Sequence, residues 1–155
     1  SEFVLKQINS MNSSLFDIRT DQNKVHQLKI ILAEKKEMIE DLNLKEKEAE
    51  KLSYANEYEI EKQNKLVEEI SRMDVCPLCK SKITVEHLST IRQEISPKIE
   101  NLKKQIENFD KKLTEFSGKK AILRQDVEQI TMEISKRESD LSVISNIEEK
   151  KNSNP

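Results

Sequence analysis

Apolar residues along this chain recur at alternating spacings of three and four, in two long stretches separated by a short one that breaks the rhythm. In the first stretch Ile18, Val25, Leu32 and Ile39 form one seven-residue series, and Leu28, Leu42, Ala49 and Ile70 fall on a second, offset by three or four. These are the a and d positions of a coiled coil. Nearer the break the partner series reads Leu52, Leu66 and Met73, so the pattern predicts a three-residue step between Leu42 and Leu52, a stammer that overwinds the coil locally. The second stretch is more regular: Leu102, Ile106, Phe109, Leu113, Phe116, Leu123, Val127, Ile130, Ile134, Leu141 and Ile144, with Lys120 and Arg137 at seam positions.

The break predicts where the chain turns. Residues 74–83 hold both cysteines and a proline that cannot sit inside a regular helix. Thr84 follows as the expected N-cap of the returning helix, its hydroxyl placed to accept an orphan backbone amide, and Glu86 suits the positive end of that helix. The predicted organisation is all-α: an ascending arm over 1–73, an apex over 74–83 and a descending arm over 84–155, folded as an antiparallel coiled-coil helical hairpin. At a rise of 1.5 Å per residue each arm could reach about 105 Å. Pro97 removes one hydrogen bond from the returning arm, and Gly118 should lie across from about Glu40, close to the predicted stammer. The two readings there are a flexible elbow at about residues 39–52 and 116–120, or an unbroken coil with minor defects.

Composition narrows the class. The chain is 36% charged and 4% aromatic, with no Trp and one Gly, which suits helices burying a narrow seam better than a globular core. Disorder is the alternative for so polar a chain, and the periodicity argues against it. The 27 basic and 29 acidic residues are mixed along its length, so no strong phosphate binding is expected from charge alone. Scattered lysines such as Lys103, Lys104, Lys111, Lys112, Lys119 and Lys120 read as a solvated face, with nucleic-acid binding by the coil as the alternative. No run of about 18 apolar residues exists to span a bilayer, so a soluble chain is expected. Ser1-Glu2-Phe3 leads directly into the helical pattern, as expected for a piece of a longer protein.

The chemistry sits at the break. Cys76 and Cys79, separated by two residues, can direct both sulfurs at one ion, and zinc takes four such ligands. The chain has no further cysteine. A zinc site of this kind is therefore completed by a second molecule: one Zn²⁺ per homodimer, held by four cysteines from two chains. Arg72, Lys80 and Lys82 lie close in sequence and would offset the surplus negative charge of four thiolates. Two other readings of the pair remain, a redox dithiol and a simple disulfide or pair of inert thiols; the first normally belongs to a β-containing fold that this sequence does not predict. His87 is the further candidate ligand, read here as packing or capping in the first turn of the second arm. His26 reads as solvent-facing, and Tyr54, Tyr58, Met38 and Met132 as arm packing.

A Cys-Pro-x-Cys knuckle between two long helices resembles the zinc hook of the Rad-fifty family, the double-strand-break repair ATPases related to structural-maintenance-of-chromosomes (SMC) proteins. The resemblance covers the thirteen residues from Cys76-Pro77-Leu78-Cys79 through Lys80-Ser81-Lys82-Ile83-Thr84-Val85-Glu86-His87-Leu88. Lys80 stands where many members of that family have Gly; the arms match only as generic coiled coil. The resemblance implies a hook that tethers two ATPase molecules, whose head domains, absent from this sequence, bind DNA and a nuclease subunit, and hence an intracellular location in the cytoplasm, nucleoid or nucleus. The same pattern suits an SMC-like chromosome-organising protein of the coalescin type, and a plain coiled-coil spacer with incidental cysteines is the alternative outside the family. Gly118-Lys119-Lys120 is followed by Ala121 and is no phosphate-cradling loop, so the fragment itself is not expected to be an enzyme.

Overall fold

The computed structural model describes residues 1–153. Two helices account for almost all of them: α1, Glu2–Ser71, and α2, Val85–Ser153, which packs against it. No strand forms among the described residues, and a single isolated antiparallel bridge joins Val75 to Lys82 in the connecting segment. Helices of 70 and 69 residues persist because Lys, Glu, Gln and Leu dominate and Gly is nearly absent. Ion pairs along each helix run Glu61 to Lys65, Glu68 to Arg72, Glu115 to Lys119 and Glu133 to Arg137, each with the acid four residues before the base. That order agrees with the helix dipole, and such pairs contribute about 0.2–0.5 kcal/mol each.

From Ile18 to Ile70 the seam of α1 keeps one phase. One series is Ile18, Val25, Leu32, Ile39, Glu46, Ser53, Ile60 and Val67; the other is Asp21, Leu28, Lys35, Leu42, Ala49, Asn56, Gln63 and Ile70, and every one of these is buried or half-buried. The expected stammer between Leu42 and Leu52 is therefore absent. Of the expected stammered series Leu66 is half-buried beside Val67, but Leu52 is 41% exposed and Met73 45% exposed, whereas Ser53, the neighbour that holds the seam position, is only 7% exposed. The apolar pattern misleads here because small and polar residues such as Ser53, Asn56 and Gln63 fill seam positions on α1.

By its packing the chain divides into two compact units, one of Ser1–Asp41 with Lys120–Pro155 and one of Leu42–Lys119. In the first unit Val25 and Ile134 are buried, and cross-helix ion pairs set the register. Lys29 meets Glu138 at 2.6 Å, Lys35 meets Asp126 at 3.1 Å, and Arg137 reaches Asp21 at 3.3 Å while also holding Glu133 at 3.0 Å. Lys120 and Arg137, expected at seam positions, are half-buried there. Residues 1–15 and 142–151 are exposed, and these include Ile144, which the periodicity had assigned to the seam.

In the second unit Leu42, Ala49, Ser53 and Ile70 are buried from α1, facing a half-buried stripe of α2 that runs Leu88, Ile91, Ile95, Ile99, Leu102, Ile106, Phe109, Leu113 and Phe116. Asn56 donates from its side-chain amide to Gln105 at 2.9 Å, so the polar seam residue finds a polar partner. Pro97 lies inside α2 without ending it and is exposed, as is Gln93, whose carbonyl its ring leaves without a donor. Both helices run unbroken through residues 39–52 and 116–120. Gly118 has no positive φ, and a Cβ there would meet nothing within 4 Å, so nothing in the packing requires glycine. The division between units falls within the stretches where the sequence suggested an elbow. Among the described residues no helix is long and apolar enough to cross a membrane.

Candidate metal centre

The end of α1 tightens before the chain leaves it. Arg72 and Met73 donate their backbone N–H groups to the carbonyls of Glu69 and Ile70, each at 3.1 Å, which satisfies two of the acceptors a helix C-terminus would otherwise leave open. Beyond Met73 the segment closes as a narrow loop. Ile83 donates to the Asp74 carbonyl at 2.9 Å, Cys76 donates to the Ser81 carbonyl at 2.9 Å, and Lys80 donates to the Cys76 carbonyl at 2.8 Å. These bonds hold Pro77, Leu78, Cys79 and Lys80 as one tight turn. Lys80 adopts φ 59°, the left-handed conformation in which a side chain is strained and glycine is at ease, which gives a physical reason for glycine to be favoured at this position.

Each ligand candidate is held by a different device. Cys76 is 1% exposed. The backbone N–H of Cys79, and then that of Leu78, donate to its sulfur and hold its thiol below the ordinary range, against the opposing effect of burial. Pro77 has no N–H to offer, so those two amides are the first after Cys76 that can reach back to the sulfur. Cys79 is exposed, and both cysteines are free thiols.

His87 is positioned by the start of α2. Thr84 is the N-cap: its hydroxyl accepts the His87 backbone N–H at 3.1 Å, and its carbonyl accepts that of Leu88 at 3.1 Å. The imidazole is half-buried, and its Nε2 lies 3.5 Å from the Cys79 sulfur. The sequence pattern alone suggests that His87 packs or caps the first turn of α2. The hydroxyl of Thr84 does the capping, and the His87 ring turns instead toward the cysteines. The signal that could have found it is the spacing itself: three residues after the cap, the first turn of α2 still overhangs the loop.

Donor atoms of Cys76, Cys79 and His87 all lie within 4.8 Å of one another, close enough to hold one metal ion. Two thiolates and an imidazole are borderline-soft donors that suit zinc or another late divalent metal. Three ligands leave a tetrahedral ion one vertex short. Val75, Leu78 and Val85 are exposed near this cluster, Leu78 at 71%, among exposed polar residues that include Lys80 and Lys82.

No family model matches this chain, and neither a curated protein nor a solved structure gives a match.

Proposed function

We propose that this chain is a metal-bridged association module: an antiparallel coiled-coil hairpin with Cys76-Pro77-Leu78-Cys79 at its apex, two copies of which share one Zn²⁺ through four cysteine thiolates. The observation that carries the reading is the pair of cysteines held on one tight turn, close together and short of a full ligand set. Exposed Leu78, Val75 and Val85 around the turn support it, since such a patch would be covered when two copies meet. That patch is too small to hold a tight dimer by itself, so the metal supplies most of the association energy. Structural zinc sites contribute an apparent stabilisation of roughly 10–16 kcal/mol, expressed here as dimerisation because neither copy has a complete site.

The module performs no catalytic step in this proposal; it joins. The resemblance of residues 76–88 to the zinc hook supports a parent of the Rad-fifty type that tethers DNA ends for double-strand-break repair through heads outside this sequence. The chromosome-organising SMC-like parent is the second reading, and the same hook serves both. Zinc content measured together with solution mass tests the module: half an ion per chain in a dimer, reverting to helical monomers on chelation, is the expected result. A dimer whose mass is unchanged by chelation, or by Cys76→Ser with Cys79→Ser, would identify a plain coiled-coil spacer instead.

A further inference from the structure

We infer that a single chain takes up a metal ion before it meets a partner, using His87 as a third ligand that it later surrenders to the partner's thiolates. The single-chain site stands on geometry alone; the hand-over rests on the bridged-dimer reading above. In a tetrahedral zinc site with Zn–S of 2.3 Å and Zn–N of 2.0–2.1 Å, the sulfur-to-nitrogen edge is about 3.6 Å. The Cys79 sulfur and His87 Nε2 already stand 3.5 Å apart, and the Cys76 sulfur completes a face within 4.8 Å. Without an ion the same contact is a hydrogen bond, so the pocket keeps its shape while empty of metal.

Charge favours this order of events. Two thiolates and a neutral imidazole balance a dication, whereas four thiolates leave two surplus negative charges. The first complex therefore forms without help from neighbouring cations. The second draws on Lys80 and Lys82, which follow the cysteines directly in the chain, doubled by the arrival of another copy. Cys79 is exposed, so one edge of the three-ligand site lies at the surface where incoming thiolates can reach it. When a metal-free copy arrives, its two thiols lose their protons to solvent and form two Zn–S bonds. The bound water leaves the open vertex and the Zn–N bond to His87 breaks. If both copies carry an ion, one ion must be released for the pair to close.

That stoichiometry gives the inference an unusual consequence: metal drives association up to half an ion per chain, and excess metal reverses it. Cobalt(II) titration of the whole chain tests it, with d–d and thiolate charge-transfer absorption read beside mass by sedimentation. The expected result is a four-sulfur spectrum in a dimer at half an ion per chain, then a spectrum of two sulfurs and nitrogen in a monomer at one ion per chain. His87→Ala should weaken single-chain binding by at least about tenfold and let the dimer survive to correspondingly higher cobalt, at unchanged helix content. His87→Cys should restore single-chain binding with a three-sulfur spectrum. If the monomer binds no ion at any ratio, or binds equally well in His87→Ala, the inference is overturned while the half-ion dimer still stands. One His87-dependent ion per chain with no dimer at any ratio would instead overturn both the hand-over and the bridging reading.

Discussion

The Thr84 hydroxyl accepts the backbone N–H of His87 at 3.1 Å, and so one bond both starts α2 and sets the ring of His87 over Cys79. An ordinary helix cap has become part of the scaffold of a candidate metal centre. Cap and ligand share a backbone, so disturbing either should be felt by the other.

Thr84→Ala removes the acceptor and should cost about 1 kcal/mol of helix stability, with Thr84→Ser close to neutral. The same change should weaken single-chain zinc binding by roughly 10-fold, the range seen when a positioning partner is lost. Urea melts of the metal-free chain and competition with a chromophoric chelator read the two effects separately. A loss of stability with no loss of affinity would show that the cap does not position the ring.

Lys80 holds a φ of 59°, a conformation that costs a residue with a side chain about 1–2 kcal/mol. Lys80→Gly relieves that strain and should stabilise the connecting turn, by about 1 kcal/mol once the added freedom of the unfolded chain is set against it. Hydrogen exchange at the Cys76 and Lys80 amides, which bond to Ser81 and Cys76, would slow accordingly. Unchanged or faster exchange would count against the strain.

The phase of the α1 seam can be checked by two truncations. Ile70→Ala empties one of the most deeply buried positions and should cost about 2–5 kcal/mol, while Leu52→Ala, at a position 41% exposed, should cost well under 1 kcal/mol. Ser53→Leu would overpack a position filled by a small side chain and should destabilise by about 1–3 kcal/mol. Were Leu52→Ala the costlier truncation, the seam would run through the stammered series after all.

Cys76 should make the metal-free turn more stable at high pH. Its thiol is held below the ordinary range by the Cys79 and Leu78 amides, so folding favours the thiolate. The resulting stabilisation is fully present above the unfolded thiol value of about 8.5 and disappears as pH falls through the lower folded value. Denaturant melts across that range should show a rise with pH that Cys76→Ser lacks. Metal binding shifts in the same direction, because acid protonates the ligands and releases the ion.

Period was legible where apolar residues themselves occupied the seam. Val25, Leu28, Leu32 and Ile39 on α1, and the run from Leu102 to Leu141 on α2, lie where their spacing put them. Thr84 was legible as a cap because a hydroxyl before a helical run has one common use there. Between Leu42 and Ile70 the spacing finds Ala49 and Ile70 but misplaces Leu52, because Glu46, Ser53, Asn56 and Gln63 hold seam positions that an apolar count passes over. Asn56 is matched there by the side-chain amide of Gln105, which the other helix contributes.

The amino-acid sequence by itself determined two long helices, the turn between them and the pair of thiols in that turn, since each follows from local spacing, a proline or a cap. Only the tertiary structure decided which residues face across the seam and that His87 joins the cysteines. Those outcomes depend on where one segment's side chains fall against another's, and helix phase carries that information across the loop only once the loop has closed.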